Sequence, residues 1–218
     1  MHTNRLVTLA DPHSAAAEAY HALRFNLAYT SLDKPLEVLV VSSAAPQTGK
    51  SYVAANLGVV MAQAGQRVVL VDADLRRPQL HTLLEQPRDP GLTTAILDEE
   101  ALSEPELRET SVPGLRLLTS GPLPPNPADI LGSQRMAQML SALQTQADFI
   151  ILDAPPINVA VDALVVATRA DGLLLVARAG HTRRDHVAQA QERLERFRVR
   201  LLGAVLLDAT EGKLTGGY

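Results

Sequence analysis

Short apolar runs recur along the chain at Leu36–Val41, Arg67–Asp72, Leu115–Thr119, Phe149–Asp153, Leu173–Ala177 and Gly203–Leu207. Their apolar positions are consecutive rather than alternating, as expected of strands buried on both faces of a sheet. Segments of helical period separate most of them, so the order predicts an α/β fold with a mostly parallel central sheet and helices on both faces. Ahead of the first run, Ser14 to Ala28 reads as an amphipathic helix: Ala19, Leu23 and Leu27 recur at four-residue spacing with Tyr20 beside them, and Glu18, His21 and Arg24 form a polar stripe. A further helix is predicted to open at the end of the Ser42 to Tyr52 stretch and to run to about Ala64, with Gly65 as its C′ residue. Arg183 to Arg198 reads as a polar surface helix, and the acidic stretch Asp98 to Glu109 as a solvated helix and loop.

Three of the strand-like runs end in candidate chemistry. The first leads into Ser42-Ser43-Ala44-Ala45-Pro46-Gln47-Thr48-Gly49-Lys50-Ser51-Tyr52. A polyphosphate needs inward-facing backbone N–H groups, a helix N-terminus, a lysine for its outer oxygens and a hydroxyl for magnesium; Gly49, Lys50 and Ser51 supply the last of these in the required order. Ala44 stands where the usual first glycine would be. The second run delivers Asp72, Asp74, Arg76 and Arg77, and the third ends at Asp153 before Ala154-Pro155-Pro156. Parallel α/β sheets bind ligands at the carboxyl ends of their strands, so the three runs together predict a phosphate-and-magnesium site at one edge.

Composition narrows the class. At 218 residues and 46% hydrophobic, the chain supports one substantial core; residues 1–210 read as a single domain and 211–218 as a flexible tail. The 20 basic and 24 acidic residues leave a net charge of −4, which offers no general attraction to nucleic acid or anionic lipid. With no cysteine the chain forms no disulfide, which is compatible with a reducing cytoplasm. Met1 to Asp11 lacks a signal-like apolar core, and the apolar stretch around Leu164 to Val176 is broken by Arg169 and Asp171. A cytoplasmic protein that reaches the membrane only through a partner is therefore expected.

With these motifs in place, the chain resembles the bacterial tyrosine kinases of capsule and exopolysaccharide assembly, whose catalytic domain is a modified P-loop ATPase of the partitioning-ATPase type. The resemblance extends to Glu18-Ala19-Tyr20-His21-Ala22-Leu23-Arg24, similar to that family's oligomerisation helix, and to Gly121-Pro122-Leu123-Pro124-Pro125-Asn126-Pro127-Ala128-Asp129-Ile130-Leu131, similar to its Pro-Pro-Asn-Pro segment. Asp162-Ala163-Leu164 and Val176 to Thr182 also look like its later stretches.

The resemblance implies an ATP-dependent protein-tyrosine autokinase regulating polysaccharide chain assembly. ATP or ADP would be cradled by Ala45, Pro46, Gln47, Thr48, Gly49, Lys50, Ser51 and Tyr52, with Mg2+ on Ser51, Asp72 and Asp153. Lys50, Asp72, Asp74 and Asp153 would carry catalysis; Asp72 or Asp74 would accept the tyrosine proton, or both would only bind metal. Tyr218 would be the phosphoacceptor and Glu18, His21 and Arg24 the oligomer contacts. The implied partners are further copies of the chain and a transmembrane polysaccharide co-polymerase. Arg76 and Arg77 are each read as contacts to phosphate or a neighbouring subunit, or as surface ion pairs.

Four departures from the family pattern stand out. Gln47 and Thr48 replace a common Gly-Glu, and Gln47 adopts positive φ less cheaply than glycine. His21 replaces an arginine and lacks its bidentate fork. Leu206-Leu207-Asp208 replaces an Asn-containing segment near the base, and the tail offers Tyr218 alone where the family carries a tyrosine cluster. Two other readings stay open: a partitioning-type switch ATPase, whose loop lysine would fall near Ala45, and a nucleotide-binding regulatory subunit with little kinase activity.

Overall fold

A computed structural model describes residues 6–30 and 35–209. A single turn, α1 (Val7–Ala10), precedes α2 (Ala15–Tyr29), which Ser14 caps by accepting from the Ala17 N–H at 3.2 Å. The chain continues through β1 (Val38–Ser43), α3 (Lys50–Gln63), β2 (Val68–Asp72), α4 (Leu80–Leu83), α5 (Leu92–Leu97), α6 (Glu99–Ser103), β3 (Arg108–Glu109) and β4 (Leu115–Leu118). It ends with α7 (Pro127–Gly132), α8 (Gln134–Gln146), β5 (Phe149–Asp153), α9 (Asp162–Ala167), β6 (Gly172–Arg178), α10 (Arg184–Arg196) and β7 (Leu201–Leu207).

The sheet runs in the order β3-β4-β2-β5-β1-β6-β7, parallel throughout except for the β3–β4 pair. Every residue of β1, β2 and β5 is buried, because helices cover both faces. The strands split their side chains with period two. Leu39, Val41, Leu70, Ile151 and Leu174 pack with α3 and with Tyr20 and Leu27 of α2. Val40, Val69, Val71, Leu152 and Leu175 pack against Met136, Met139, Leu140 and Leu143 of α8, Ala163 and Leu164 of α9, and Leu194 of α10. Helix α3 is buried almost throughout, and Gly65 follows its end at φ 89° as a C′ glycine.

Two expectations need correction. On α2 the buried stripe is Ala17, Tyr20 and Leu27 with Leu23 half-buried, while Ala19 is exposed. The ring of Tyr20 and the side chain of Leu27 bury more apolar surface than the Ala19 methyl, and they set the helix rotation. In the acidic stretch, Asp98 caps α6, Leu102 is buried, and the loop that follows pairs as β3 along the sheet edge. A strand of two residues carries no periodic signal to read. The tail and Tyr218 lie outside the described residues.

Candidate functional site

The carboxyl ends of β1, β2 and β5 meet because the strands lie in parallel register, with Val41 opposite Asp153 and Asp153 opposite Asp72. The loop from Ser43 to Gly49 turns over this edge and enters α3. Gln47 sits in the left-handed region at φ 57° and Gly49 at φ 87°. A Cβ on Gly49 would come within 2.7 Å of Leu207 Cδ1, so both backbone and packing call for glycine there. The Ser43 hydroxyl donates to the Ala45 carbonyl at 2.8 Å, and Thr48 Oγ1 approaches the same oxygen at 3.4 Å, which tightens the turn from inside.

A cleft of about 710 Å³ opens above the loop. It is lined by Pro46 through Tyr52, by Asp74, Arg76, Arg77 and Gln79 after β2, by Pro155, Pro156 and Val159 after β5, and by Arg178 at the end of β6. Lys50 is buried at its base, with Nζ 2.8 Å from Asp74 Oδ2, 3.1 Å from Asp153 Oδ1 and 3.3 Å from Ser51 Oγ. Ala45 does not line the cleft and serves the fold of the loop. Asp72 and Asp153 lie beneath the lining, fully buried.

The electrostatics follow from that burial. Burial alone would lower the Lys50 ammonium, but the charges of Asp153 and Asp74 outweigh it and hold the group above its ordinary value. Burial, reinforced by the Asp153 charge, pushes the Asp72 carboxyl well above the ordinary carboxylate range, against the pull of Lys50 and the Leu80 amide. Burial also raises Asp153, opposed by Lys50 and the nearby Ser51 hydroxyl. Asp72 Oδ2 accepts from the Gln79 and Leu80 amides at 3.1 and 3.0 Å, whereas its Oδ1 and Asp153 Oδ2 are buried without a hydrogen-bond partner. Orphaned carboxylate oxygens beside a serine hydroxyl at the head of a helix are hard donors that suit Mg2+, which keeps few protein ligands and takes the rest from phosphate and water. Among the described residues, no cluster of three or more His, Cys, Asp or Glu forms a separate metal cage.

The remaining expected residues scatter. Arg76 lines the cleft and forms a two-point ion pair with Asp162, at 2.7 and 3.0 Å. Asp162 begins α9 and is fully buried; nothing local in the sequence announced this contact 86 positions away. A second pair joins Arg178 to Asp208 at 2.6 Å on the cleft's far rim. Tyr52 is held by its neighbours, its hydroxyl accepting from the Val7 N–H at 2.9 Å. Glu18, His21 and Arg24 stand apart on α2; Glu18 is exposed, and the Arg24 guanidinium lies 4.3 Å from the centre of the Phe25 ring. No helix of the described residues is long and apolar enough to cross a membrane.

Comparison with known proteins places this geometry. A family model described as "ParA: NUBPL iron-transfer P-loop NTPase" matches residues 35–206. The chain is 37% identical over 201 residues to tyrosine-protein kinase YwqD of Bacillus subtilis, covering 92% of this chain and 84% of that one. Among solved structures it resembles the chimerical protein CapA2B2, with TM-score 0.86 and 32% identity over 92% of this chain and 88% of the other. It also resembles the kinase domain of Escherichia coli tyrosine kinase ETK, with TM-score 0.85 and 30% identity over 100% of this chain and 87% of the other. Sequence and architecture agree, and the chain belongs to the bacterial tyrosine-protein kinases, built on the ParA-type P-loop fold.

Proposed function

We propose that this protein transfers the terminal phosphoryl group of Mg2+-bound ATP to a tyrosine hydroxyl, with Tyr218 of a neighbouring copy as the acceptor. The observation that carries this reading is Lys50, buried at the head of α3 and held between Asp74 and Asp153 at the base of the cleft. When phosphate enters, the ammonium can exchange one of these carboxylates for β- and γ-phosphate oxygens, and the loop amides and the α3 N-terminus face the same charge. Ser51, Asp72 and Asp153 would hold Mg2+, which would supply charge neutralisation for the phosphates.

In the transfer, the tyrosine oxygen bonds to the γ-phosphorus, the bond from that phosphorus to the β-bridging oxygen breaks, and the tyrosine proton goes to a carboxylate. Asp72 and Asp74 are the two candidates for that carboxylate. Asp74 lines the cleft, with one oxygen on Lys50 and the other on backbone amides, whereas Asp72 is fully buried beneath the lining, where its unpaired Oδ1 suits Mg2+. Asp74 also anchors Lys50.

On this reading residues 1–210 form one kinase domain, and α2 with Glu18, His21 and Arg24 mediates contact between copies. The protein works in the cytoplasm at the inner face of the membrane. A transmembrane polysaccharide co-polymerase recruits and activates it, and the phosphorylation state regulates capsule or exopolysaccharide chain assembly. The deciding experiment maps phosphotyrosine by mass spectrometry after incubation with ATP and Mg2+, alone and with the cytoplasmic segment of a candidate co-polymerase. Phosphate on Tyr218 that vanishes in Lys50→Met is the expected result. Confirmed ATP binding without phosphotyrosine in either condition would overturn it in favour of a regulatory subunit.

A further inference from the structure

Four basic side chains line the cleft: Lys50, Arg76, Arg77 and Arg178. Three are committed, Lys50 to Asp74 and Asp153, Arg76 to Asp162 and Arg178 to Asp208. The side chain of Arg77 is exposed and makes no hydrogen bond or ion pair among the described residues. Its backbone is closely defined. Asp74 Oδ1 accepts from the Arg77 N–H at 3.0 Å and from the Arg76 N–H at 3.3 Å, and buried Pro78 restricts the residue before it to extended conformations. One carboxylate therefore holds Lys50 on Oδ2 and fixes the departure point of Arg77 through Oδ1.

We propose that Arg77 contacts the transferring phosphoryl group from within the same chain and stabilises the negative charge on its equatorial oxygens during transfer. This deepens the kinase reading above and rests on it. The charge balance of the site favours phosphate over an acidic segment of the acceptor protein. Asp74 and Asp153 already hold Lys50 at the base of the cleft, so a triphosphate brings more negative charge than Lys50 and Mg2+ offset, and Arg77 is tied to the carboxylate that holds Lys50. Arg76 cannot serve while Asp162 holds it; releasing it would leave a carboxylate buried without its partner.

The test compares Arg77→Ala, Arg77→Gln and Arg77→Lys with the wild-type chain. The readouts are kcat, KM for ATP and for an acceptor peptide, and calorimetric affinity for ADP and for a non-hydrolysable ATP analogue. Loss of the contact should lower kcat by about 10²–10³-fold in the Ala and Gln variants. It should weaken the analogue about tenfold while leaving ADP within about twofold, because only the analogue carries the terminal phosphate. Added guanidinium should partly restore kcat in Arg77→Ala, a response that a purely structural role would not give. Arg77→Lys should recover analogue affinity better than kcat, since it keeps the charge without the planar fork. Unchanged kcat, equal losses for ADP and the analogue, or a rise confined to the acceptor KM would each overturn the proposal. If the wild-type chain makes no phosphotyrosine, the kinase reading itself fails; if it does and the Arg77 variants match it, only this inference falls. The exposed position of Arg77 leaves the core untouched, and matched thermal unfolding of the variants checks that.

Discussion

Asp72 and Asp153 lie opposite each other on neighbouring parallel strands, and each keeps one buried carboxylate oxygen without a partner. Burial raises the proton affinity of both, the Asp153 charge adding to the effect on Asp72 and the Asp74 charge to that on Asp153, and the ammonium of Lys50 only partly offsets it. On the proposed kinase reading, Mg2+ beside the pair would offset this charge.

A pH dependence with a definite sign follows. A carboxyl whose folded pKa is raised binds its proton more tightly when folded. Its stabilising contribution is present at low pH and is lost as pH rises from the ordinary carboxyl value through the raised one. The metal-free protein should therefore unfold at lower temperature at about pH 8 than at about pH 5.5, and Mg2+ with nucleotide should restore more stability at the higher pH. Asp72→Asn should flatten this profile and raise the melting temperature at about pH 8, because its amide oxygen can still accept from Gln79 and Leu80. The same variant should lose most kinase activity. A wild-type melting temperature that rises steadily from acid to alkaline pH would contradict this account.

Lys50→Met removes the ammonium held between Asp74 and Asp153. Breaking a buried ion pair from one side typically costs about 3–5 kcal/mol, moderated here because the carboxyls can take up protons. Phosphotyrosine should disappear, and denaturant unfolding should show a destabilisation that is larger at alkaline pH.

The Arg76–Asp162 pair should behave as a structural tie between the β2 loop and α9. Arg76→Ala leaves a fully buried carboxylate unpaired, and solvent around the arginine trims the loss to about 2–3 kcal/mol. The double variant Arg76→Ala/Asp162→Asn should recover a good part of that in a double-mutant cycle; full additivity of the two single losses would show that the pair is not coupled.

In the phosphate loop, Gly49→Ala meets both an unfavourable φ and Leu207 Cδ1 at 2.7 Å, so it should cost at least about 1–2 kcal/mol and weaken nucleotide binding. Gln47→Gly acts in the opposite direction. It relieves a left-handed glutamine and should stabilise the protein by up to about 1 kcal/mol, the gain being limited by the greater freedom of glycine in the unfolded chain. Equilibrium unfolding of the two variants side by side separates these outcomes.

Much of this site was legible because its chemistry is local in the chain. Lys50 and Ser51 adjoin each other, Asp72 and Asp74 end one apolar run, and Asp153 ends another. Continuous apolar strands are readable because both faces of a central parallel strand are buried, and Gly65 marked the end of α3 because a left-handed C′ position favours glycine. Ala19 misled because four-residue spacing alone does not decide which stripe of α2 carries more apolar area.

The sequence by itself determined the class of fold, the order of its strands in the chain and the residue types that meet a phosphate. These depend on periodicity, turn chemistry and short-range motifs, which act over a few residues. Only the tertiary structure decided that Arg76 belongs to Asp162 while Arg77 has no partner among the described residues. It alone revealed that Asp74 links Lys50 to the Arg77 backbone, and that Asp72 and Asp153 each leave an oxygen unpaired. Two adjacent arginines are alike in any local reading. Their roles separate because strand register and the docking of α9 bring one buried carboxylate within reach of the first, and distant segments meet only when the core closes.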